Sequence, residues 1–301
     1  MASAAREALE ALPTCQVRHA VSLARHTSLG VGGPADILAI PEDRESARRV
    51  LDICREHELP VLVLGKGFNT LVRDGGFPGV VLALWRLRRL ELTEEGELLA
   101  EAGVSHSRVA HYCSENGLSG LEFAAGIPGT VGGWIAMNAG IPDREMGDVL
   151  SQVQMLSESG EESRDAARMG FRYRGSDLSE GAAVVAGRFR VSPDAPEAVR
   201  KRIAAHLEAR VRSQPIHRAS CGSVFKNPPG DYAGRLIEQA ELKGSECGGA
   251  AFSELHANFI VTRRGARAAD VLALIERARI AVRERSGVTL ETEVHIVGED
   301  G

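Results

Sequence analysis

The sequence predicts an α+β protein built from two or three compact units. Three observations carry that expectation. Short apolar strands alternate with amphipathic helices, glycine-rich turns separate them in place of long polar linkers, and a chain of 301 residues is long for one core. Met1 to Pro13 carries Arg6, Glu7 and Glu10 among alanines, unlike a signal peptide, and reads as a helical or frayed extension. Ala35–Ile40 reads as a strand. Pro41-Glu42-Asp43 then opens a helix with Asp43 as N-cap, along which Ala47, Val50, Leu51 and Cys54 fall on one face. Val61–Leu64 and Val80–Leu84 are apolar strands that complete a small α/β unit. Strands are expected next at Leu87–Leu92 and Leu98–Ala102, followed by a helix over Ser105–Asn116 that Gly117 ends. Beyond the glycine-rich stretch Gly120–Gly140 come strands near Val149–Leu156 and Ala183–Val191, then a charged helix at Ala198–Arg212. A third unit follows, with a long helix at Ala268–Arg285 and a last strand at Thr289–Val297.

Hydrophobic content of 44% and charged content of 26% are ordinary for a soluble globular protein. A net charge of −5 without a Lys/Arg tract gives no electrostatic case for a nucleic-acid partner. No apolar run approaches the ~20 residues that span a bilayer, so no membrane partner is expected. The five cysteines are odd in number, widely spaced and free of any C-x-x-C pair, which argues against a disulfide framework and structural zinc. Cys54 and Cys113 fall on apolar helical positions and read as small core residues. The histidines show no ligand spacing, and no metal is expected. Together these features describe a reduced cytoplasmic protein.

Three segments carry chemistry. Ser220 to Pro228 brings a hydroxyl (Ser223), a cation (Lys226) and a carboxamide (Asn227) onto one short extended step that Pro228 stops. Alternation places Ser223 and Phe225 on one face and Lys226 near the other. Such a set suits an oxygen-rich ligand; a plain strand and turn accounts for it as well. Gly65-Lys66-Gly67 follows an apolar strand and could turn its amides inward as an anion nest, although the spacing also suits a tight turn. A G-x-G-x-x-G opening a helix is not present there, which disfavours a Rossmann site. In Gly126–Gly133, Pro128 fixes one φ while the glycines expose backbone. Trp134 to Asn138 then reads as a short helix whose first amides favour a pyrophosphate, with a structural glycine hinge as the alternative.

These segments recur in a known order. Thr27–Ala35, Gly126–Gly133, Met137–Gly140, Tyr173-Arg174, Gly222–Pro228, Ala233–Glu238, His256–Ile260 and Leu290–Val294 together resemble the UDP-N-acetylenolpyruvoylglucosamine reductase family, over roughly Val21 to Gly298. The resemblance implies a two-domain FAD-binding fold of the vanillyl-alcohol-oxidase-like type plus a C-terminal α/β substrate-binding domain. Its boundaries would be an N-terminal extension at 1–21, a first FAD-binding subdomain at 22–84, a second at 85–212 with 289–301, and the substrate domain at 213–288.

The resemblance also implies FAD held by Gly65, Gly67, Asn69, Thr70, Gly126, Ile127, Gly132, Gly133, Asn138 and Gly140. The flavin would be bound non-covalently, since neither glycine segment contains His or Cys. NADPH would be the electron donor and a nucleotide-sugar the substrate, held by Tyr173, Gln214, Lys226, Asn227, Glu238 and His256. Arg174 and Glu293 would stabilise the enolate-like charge that develops on reduction, and Ser223 would deliver the proton, with Cys221 as an alternative donor. Lys66, Phe68, Ser213, Leu255 and Thr262 depart from the family's usual residues. The rivals are an FAD oxidase of the same fold acting on an alcohol, and a nucleotide-sugar-binding protein without turnover. The oligomeric state is not fixed by sequence, with a monomer the expectation.

Overall fold

A computed structural model describes residues 3–179 and 181–301; Met1 and Ala2, the start of the expected extension, lie outside the described residues. The chain divides into two compact units, each assembled from three stretches. The first comprises Met1–His19, Ile37–Gly65 and Gly79–Ala209.

In the first unit the extension is a helix, Ser3–Glu10, whose Leu9 is buried in the same core as Ile37, Val50 and Leu82. It leads into a strand, Cys15–Ser22, that the sequence reading did not anticipate. This strand lies at the edge of a four-stranded sheet, followed in order by Pro34–Pro41, Phe77–Ala83 and Val61–Leu64. Its alternation of half-buried and exposed positions places no residue fully inside, so its polar sequence carries little hydrophobic signal. Val61–Leu64 runs parallel to its neighbour, with Val61 opposite Val80. The helix that connects Pro34–Pro41 to Val61–Leu64, Arg44–Glu56, starts as expected: the Asp43 carboxylate accepts the Ser46 N–H at 2.7 Å.

A second, antiparallel sheet orders Gly160–Asp165, Leu150–Ser157, Ala183–Arg190, Glu97–Glu101 and Leu90–Leu92. The first of these, Gly-Glu-Glu-Ser-Arg-Asp, is another polar edge strand without a hydrophobic signature. Helix His106–Asn116 packs Val109 and Cys113 inward and ends at Gly117, which adopts φ +58°. Helix Pro196–Ser213 buries Val199 and Ile203, and its Arg202 donates to the buried carboxylate of Glu122 at 2.9 Å.

The second unit comprises Ala20–Asp36, Lys66–Pro78 and Arg210–Gly301. Its sheet orders Ala219–Ser223, Phe259–Thr262, Ala250–Phe252 and Glu246–Cys247, all antiparallel. Helices Ala233–Gln239 and Ala268–Ser286 contribute Leu236, Ile237, Leu274 and Ile275 to its core. The long helix is capped by a residue remote in sequence: the two carboxylate oxygens of Asp74 accept the Ala268 and Ala269 N–H groups at 2.9 and 3.0 Å.

The closing strand differs from the expectation. It is short, His295–Val297, and pairs in parallel with Thr70–Val72 of this same unit, not with the strands of residues 85–212. The reason is burial: Leu290 and Val294 enter the same core as Leu71 and Phe225, and this fixes the register of the segment that follows.

Candidate active site

The second unit brings two of the three expected catalytic residues together. After Ser223 the strand Ala219–Ser223 ends, and the chain runs beside residues 291–294. Val224 O accepts the Glu293 N–H at 2.8 Å, and Lys226 N–H donates to Glu291 O at 2.9 Å. Ser223 and Glu293 thus stand on adjacent, hydrogen-bonded segments. Asn69 pins the second of these, because its side-chain amide donates to Glu293 O at 3.0 Å.

The simple alternation expected for Ser220–Pro228 does not hold. Gly222 adopts φ +80°, and the register shifts between Ser220 and Ser223, so the strand bulges there. Val224 and Phe225 are both buried in the core. Cys221 is buried as well; burial, with the Glu293 charge adding to it, pushes its thiol up to about 12. Its place in the core speaks against Cys221 as the alternative proton donor.

Asn258, which sequence reasoning did not single out within its own motif, holds the segment in place. Its side chain mimics a strand: Oδ1 accepts the Phe225 N–H at 3.0 Å and Nδ2 donates to Phe225 O at 2.8 Å, while its carbonyl accepts the Val224 N–H at 2.9 Å. Replacing it with alanine leaves two buried backbone groups unpaired, at ~1–3 kcal/mol each. Asn258→Ala is therefore expected to lower the melting temperature by several degrees in a thermal scan, and unchanged stability would deny it this role.

His256 accepts the Asn258 N–H through Nδ1 at 3.2 Å and stacks at an angle on Phe259, ring centroids 4.7 Å apart. Burial, with the nearby Lys243 charge, holds its pKa below the ordinary 6.5. A histidine with a depressed folded pKa stabilises the fold above its unfolded value, and that contribution is lost as pH falls through the folded value. Stability is expected to decline below about pH 6.5, and His256→Gln should flatten that decline in denaturant titrations at several pH values.

Arg174 belongs to the first unit. It sits at φ +55° in a tight turn closed by reciprocal backbone hydrogen bonds of 3.0 Å between Arg172 and Gly175. Its Nη2 donates to Gly140 O at 3.2 Å, its guanidinium carbon lies 4.8 Å from the Tyr173 ring centroid, and Nη1 is 3.7 Å from a Glu145 carboxylate oxygen.

Asn138 and Gly140, expected at the cofactor, are engaged with this turn. The buried Asn138 amide donates to Glu145 Oε2 at 2.6 Å and Arg172 O at 3.1 Å, and its oxygen accepts the Gly147 N–H at 2.8 Å. The short helix of this segment is Val131–Ala136, earlier than the expected Trp134–Asn138, because Thr130 begins it and Asn138 turns left-handed at φ +43°. Its Val131 and Gly132 amides donate to Val104 and Ala102 carbonyls, both at 3.0 Å, and so are occupied within the protein.

The other expected substrate residues are scattered within their units. Lys226 pairs with Glu291, and Glu238 is exposed and pairs with Lys243 at 3.1 Å. Asn227 Oδ1 accepts the Ala233 N–H at 3.1 Å, and Gln214 Oε1 accepts from Arg210 Nε at 3.2 Å.

Comparison with known proteins decides among the readings. Residues 214–297 match the model of the C-terminal domain of UDP-N-acetylenolpyruvoylglucosamine reductase, and residues 35–164 match that of an FAD binding domain. The chain is 45% identical to the UDP-N-acetylenolpyruvoylglucosamine reductase of Moorella thermoacetica, covering 92% of both chains. It is 44% identical to that of Geobacter metallireducens, covering 92% of this chain and 93% of the relative. The crystal structure of the Thermus caldophilus reductase superposes with a TM-score of 0.82 at 38% identity, covering 94% of this chain and 99% of that one. The chain belongs to the UDP-N-acetylenolpyruvoylglucosamine reductase family. A berberine bridge enzyme, at 16% identity and a TM-score of 0.50 over 64% of this chain, shares the fold alone.

Membership makes the protein a flavin-dependent reductase, and the glycine segments fit an FAD. Gly65 and Thr130 bring the two segments into contact: a Cβ on Gly65 would lie 2.7 Å from Thr130 Oγ1. Trp85 Nε1 donates to Gly65 O at 2.6 Å, Ile127 O accepts Trp134 Nε1 at 3.2 Å, and a Cβ on Gly132 would meet Ala102 Cβ at 2.9 Å. Gly126 and Gly133 have no neighbour closer than 3.7 and 4.0 Å to such a Cβ, so backbone there is approachable. In the second unit, Gly67 takes φ +61° and its carbonyl accepts from Ser28 N–H and Oγ at 3.0 and 3.1 Å, just before Asn69 and Thr70. Gly65→Ala is expected to wedge the two segments apart and lower the flavin-to-protein absorbance ratio of the purified enzyme; full flavin content would show that the contact is slack.

One of the family departures acquires a physical role. Thr262 is buried and donates its hydroxyl to Leu29 O, while Leu255 is half exposed. Lys66 is exposed and Phe68 half-buried.

Proposed function

We propose that Arg174, Ser223 and Glu293 carry out the reduction of UDP-N-acetylglucosamine enolpyruvate to UDP-N-acetylmuramate, with NADPH as electron donor, in the cytoplasmic stage of peptidoglycan synthesis. The observation that supports this most is the backbone pairing of Val224 with Glu293 and Val294, which brings the segments that carry the Ser223 hydroxyl and the Glu293 carboxyl side by side. FAD, when bound, supplies the hydride that NADPH provides and that adds to the enolpyruvyl methylene carbon. Negative charge then spreads from the adjacent carbon into the substrate carboxylate. Arg174 and the acid form of Glu293 direct N–H and O–H groups at that charge. Ser223 gives its proton to the adjacent carbon, so the C=C bond becomes a single bond and the net consumption is one NADPH and one proton.

Tyr173, Gln214, Lys226, Asn227, Glu238 and His256 are assigned to the nucleotide-sugar, Glu238 being paired on the surface with Lys243. Among the described residues no helix is long and apolar enough to cross a membrane. We assign a monomer.

The test is spectroscopic. Acid precipitation is expected to release FAD into the supernatant. Anaerobic NADPH should bleach the flavin, and the enolpyruvyl substrate should restore its colour. A flavin that NADPH reduces but this substrate does not reoxidise would sink the assignment.

A further inference from the structure

We infer that Glu145 is a positioning residue for Arg174, an inference that rests on the catalytic assignment of Arg174 above. Glu145 and Gly140 are cross-strand partners in a two-stranded ladder, Gly140–Ile141 with Arg144–Glu145. Both reach the same guanidinium. Gly140 offers its carbonyl to Nη2 at 3.2 Å, and Glu145 sets Oε1 3.7 Å from Nη1. The ladder needs glycine at position 140, where a Cβ would meet Arg144 O at 2.5 Å and Glu145 Cα at 2.8 Å.

The carboxylate is itself fixed. Glu145 Oε2 accepts from Asn138 Nδ2 at 2.6 Å, and the Glu145 N–H donates to Asp148 Oδ2 at 2.8 Å at the start of helix Met146–Val149. The same Asn138 amide donates to Arg172 O in the turn that carries Arg174. One carboxamide therefore ties the carboxylate to the turn. Five non-glycine residues have positive φ among the described residues, and two of them, Asn138 and Arg174, are members of this network. Such strain persists where surrounding contacts over-determine it, and it concentrates at functional sites.

The charge arrangement gives the network a purpose. Arg174 is largely buried, with 18% of its side chain exposed, and Glu145 is 30% exposed, so the pair is only partly screened. The Gly140 carbonyl at Nη2, the Glu145 carboxylate near Nη1 and the Tyr173 ring beneath the guanidinium carbon restrain its orientation. A guanidinium held in this way is oriented before substrate arrives, so less reorganisation is needed when charge develops. A salt bridge serving stability alone would not require two left-handed backbones to build it.

The experiment is a double-mutant cycle on the holoenzyme: Glu145→Gln, Arg174→Ala and both together, with kcat and KM for the enolpyruvyl nucleotide-sugar. Glutamine keeps an oxygen for the Asn138 amide and removes only the charge facing Arg174. Misaiming a catalytic group is expected to lower kcat roughly tenfold to a hundredfold with little change in KM. FAD content, melting temperature and anaerobic flavin bleaching by NADPH should match the parent. With Arg174 already alanine, Glu145→Gln should cost nothing further, because its effect passes through the guanidinium. Parental kcat in Glu145→Gln, or costs that multiply in the double variant, would overturn the inference. Parental kcat in Arg174→Ala would instead overturn the catalytic assignment on which it rests.

Discussion

Ser223→Ala is expected to slow reoxidation of the reduced flavin by the enolpyruvyl substrate by ~10²–10⁴-fold, the usual worth of a positioned proton donor. Flavin reduction by NADPH should be nearly unchanged. The substitution removes one oxygen and leaves the backbone as it was. The next residue, Val224, keeps its N–H bond to Asn258 O at 2.9 Å and its carbonyl bond to Glu293 N at 2.8 Å. A loss confined to one half-reaction would thus be chemical. Stopped-flow absorbance of the flavin separates the two steps, and equal losses in both would return Ser223 to a structural role. Cys221, which lies in the core, is not expected to substitute for the missing hydroxyl.

Glu293 offers the second large effect. Glu293→Gln should retain FAD and substrate binding and lose turnover, and Glu293→Ala should lose more, because a carboxamide still donates a hydrogen bond to developing charge. Removing one such donor typically costs ~10²–10³ in kcat. An interaction made only in the transition state lowers kcat and kcat/KM together, whereas uniform binding appears in KM alone. The backbone N–H and carbonyl of residue 293 are held by Val224 O and Asn69 Nδ2, so neither substitution should shift the segment. A change in KM alone, or parental turnover in Glu293→Ala, would remove Glu293 from the mechanism.

What the sequence revealed depended on whether the cause was local. The Asp43 cap and the Gly117 terminus were legible because a helix end is decided within a few residues. The edge strands Cys15–Ser22 and Gly160–Asp165 were not, because one-sided or absent burial leaves no period-two apolar pattern to read. As candidates, Arg174, Ser223 and Glu293 emerged from ordered motifs; the bond between the Val224 and Glu293 segments could not, since nothing local announces a partner so distant in the chain.

Asn69 and Asn138 show the limit most clearly. Their places beside glycine-rich segments suggested ligand contacts; the structure adds bonds within the protein that the sequence did not announce, from Asn69 to Glu293 O and from Asn138 to Glu145 and Arg172. A carboxamide satisfies protein carbonyls as readily as phosphates, and only three-dimensional neighbours decide which. Glu145 and Asn258 went unnoticed for the converse reason: a polar residue that serves another residue has no signature of its own.

The parallel ladder between residues 70–72 and 295–297 has a consequence for biosynthesis. On the ribosome, Thr70–Val72 emerges long before the segment that pairs with it. Contacts between such remote stretches form late, after helices such as Arg44–Glu56 have had ample time to coil. Until translation is nearly finished, the nascent chain carries Leu71 and Val72, both fully buried in the finished fold, on an open strand edge. The order in which the stretches are made therefore governs yield more than final stability does. A pause late in translation prolongs the interval in which that edge is open to chaperones or to a second nascent chain.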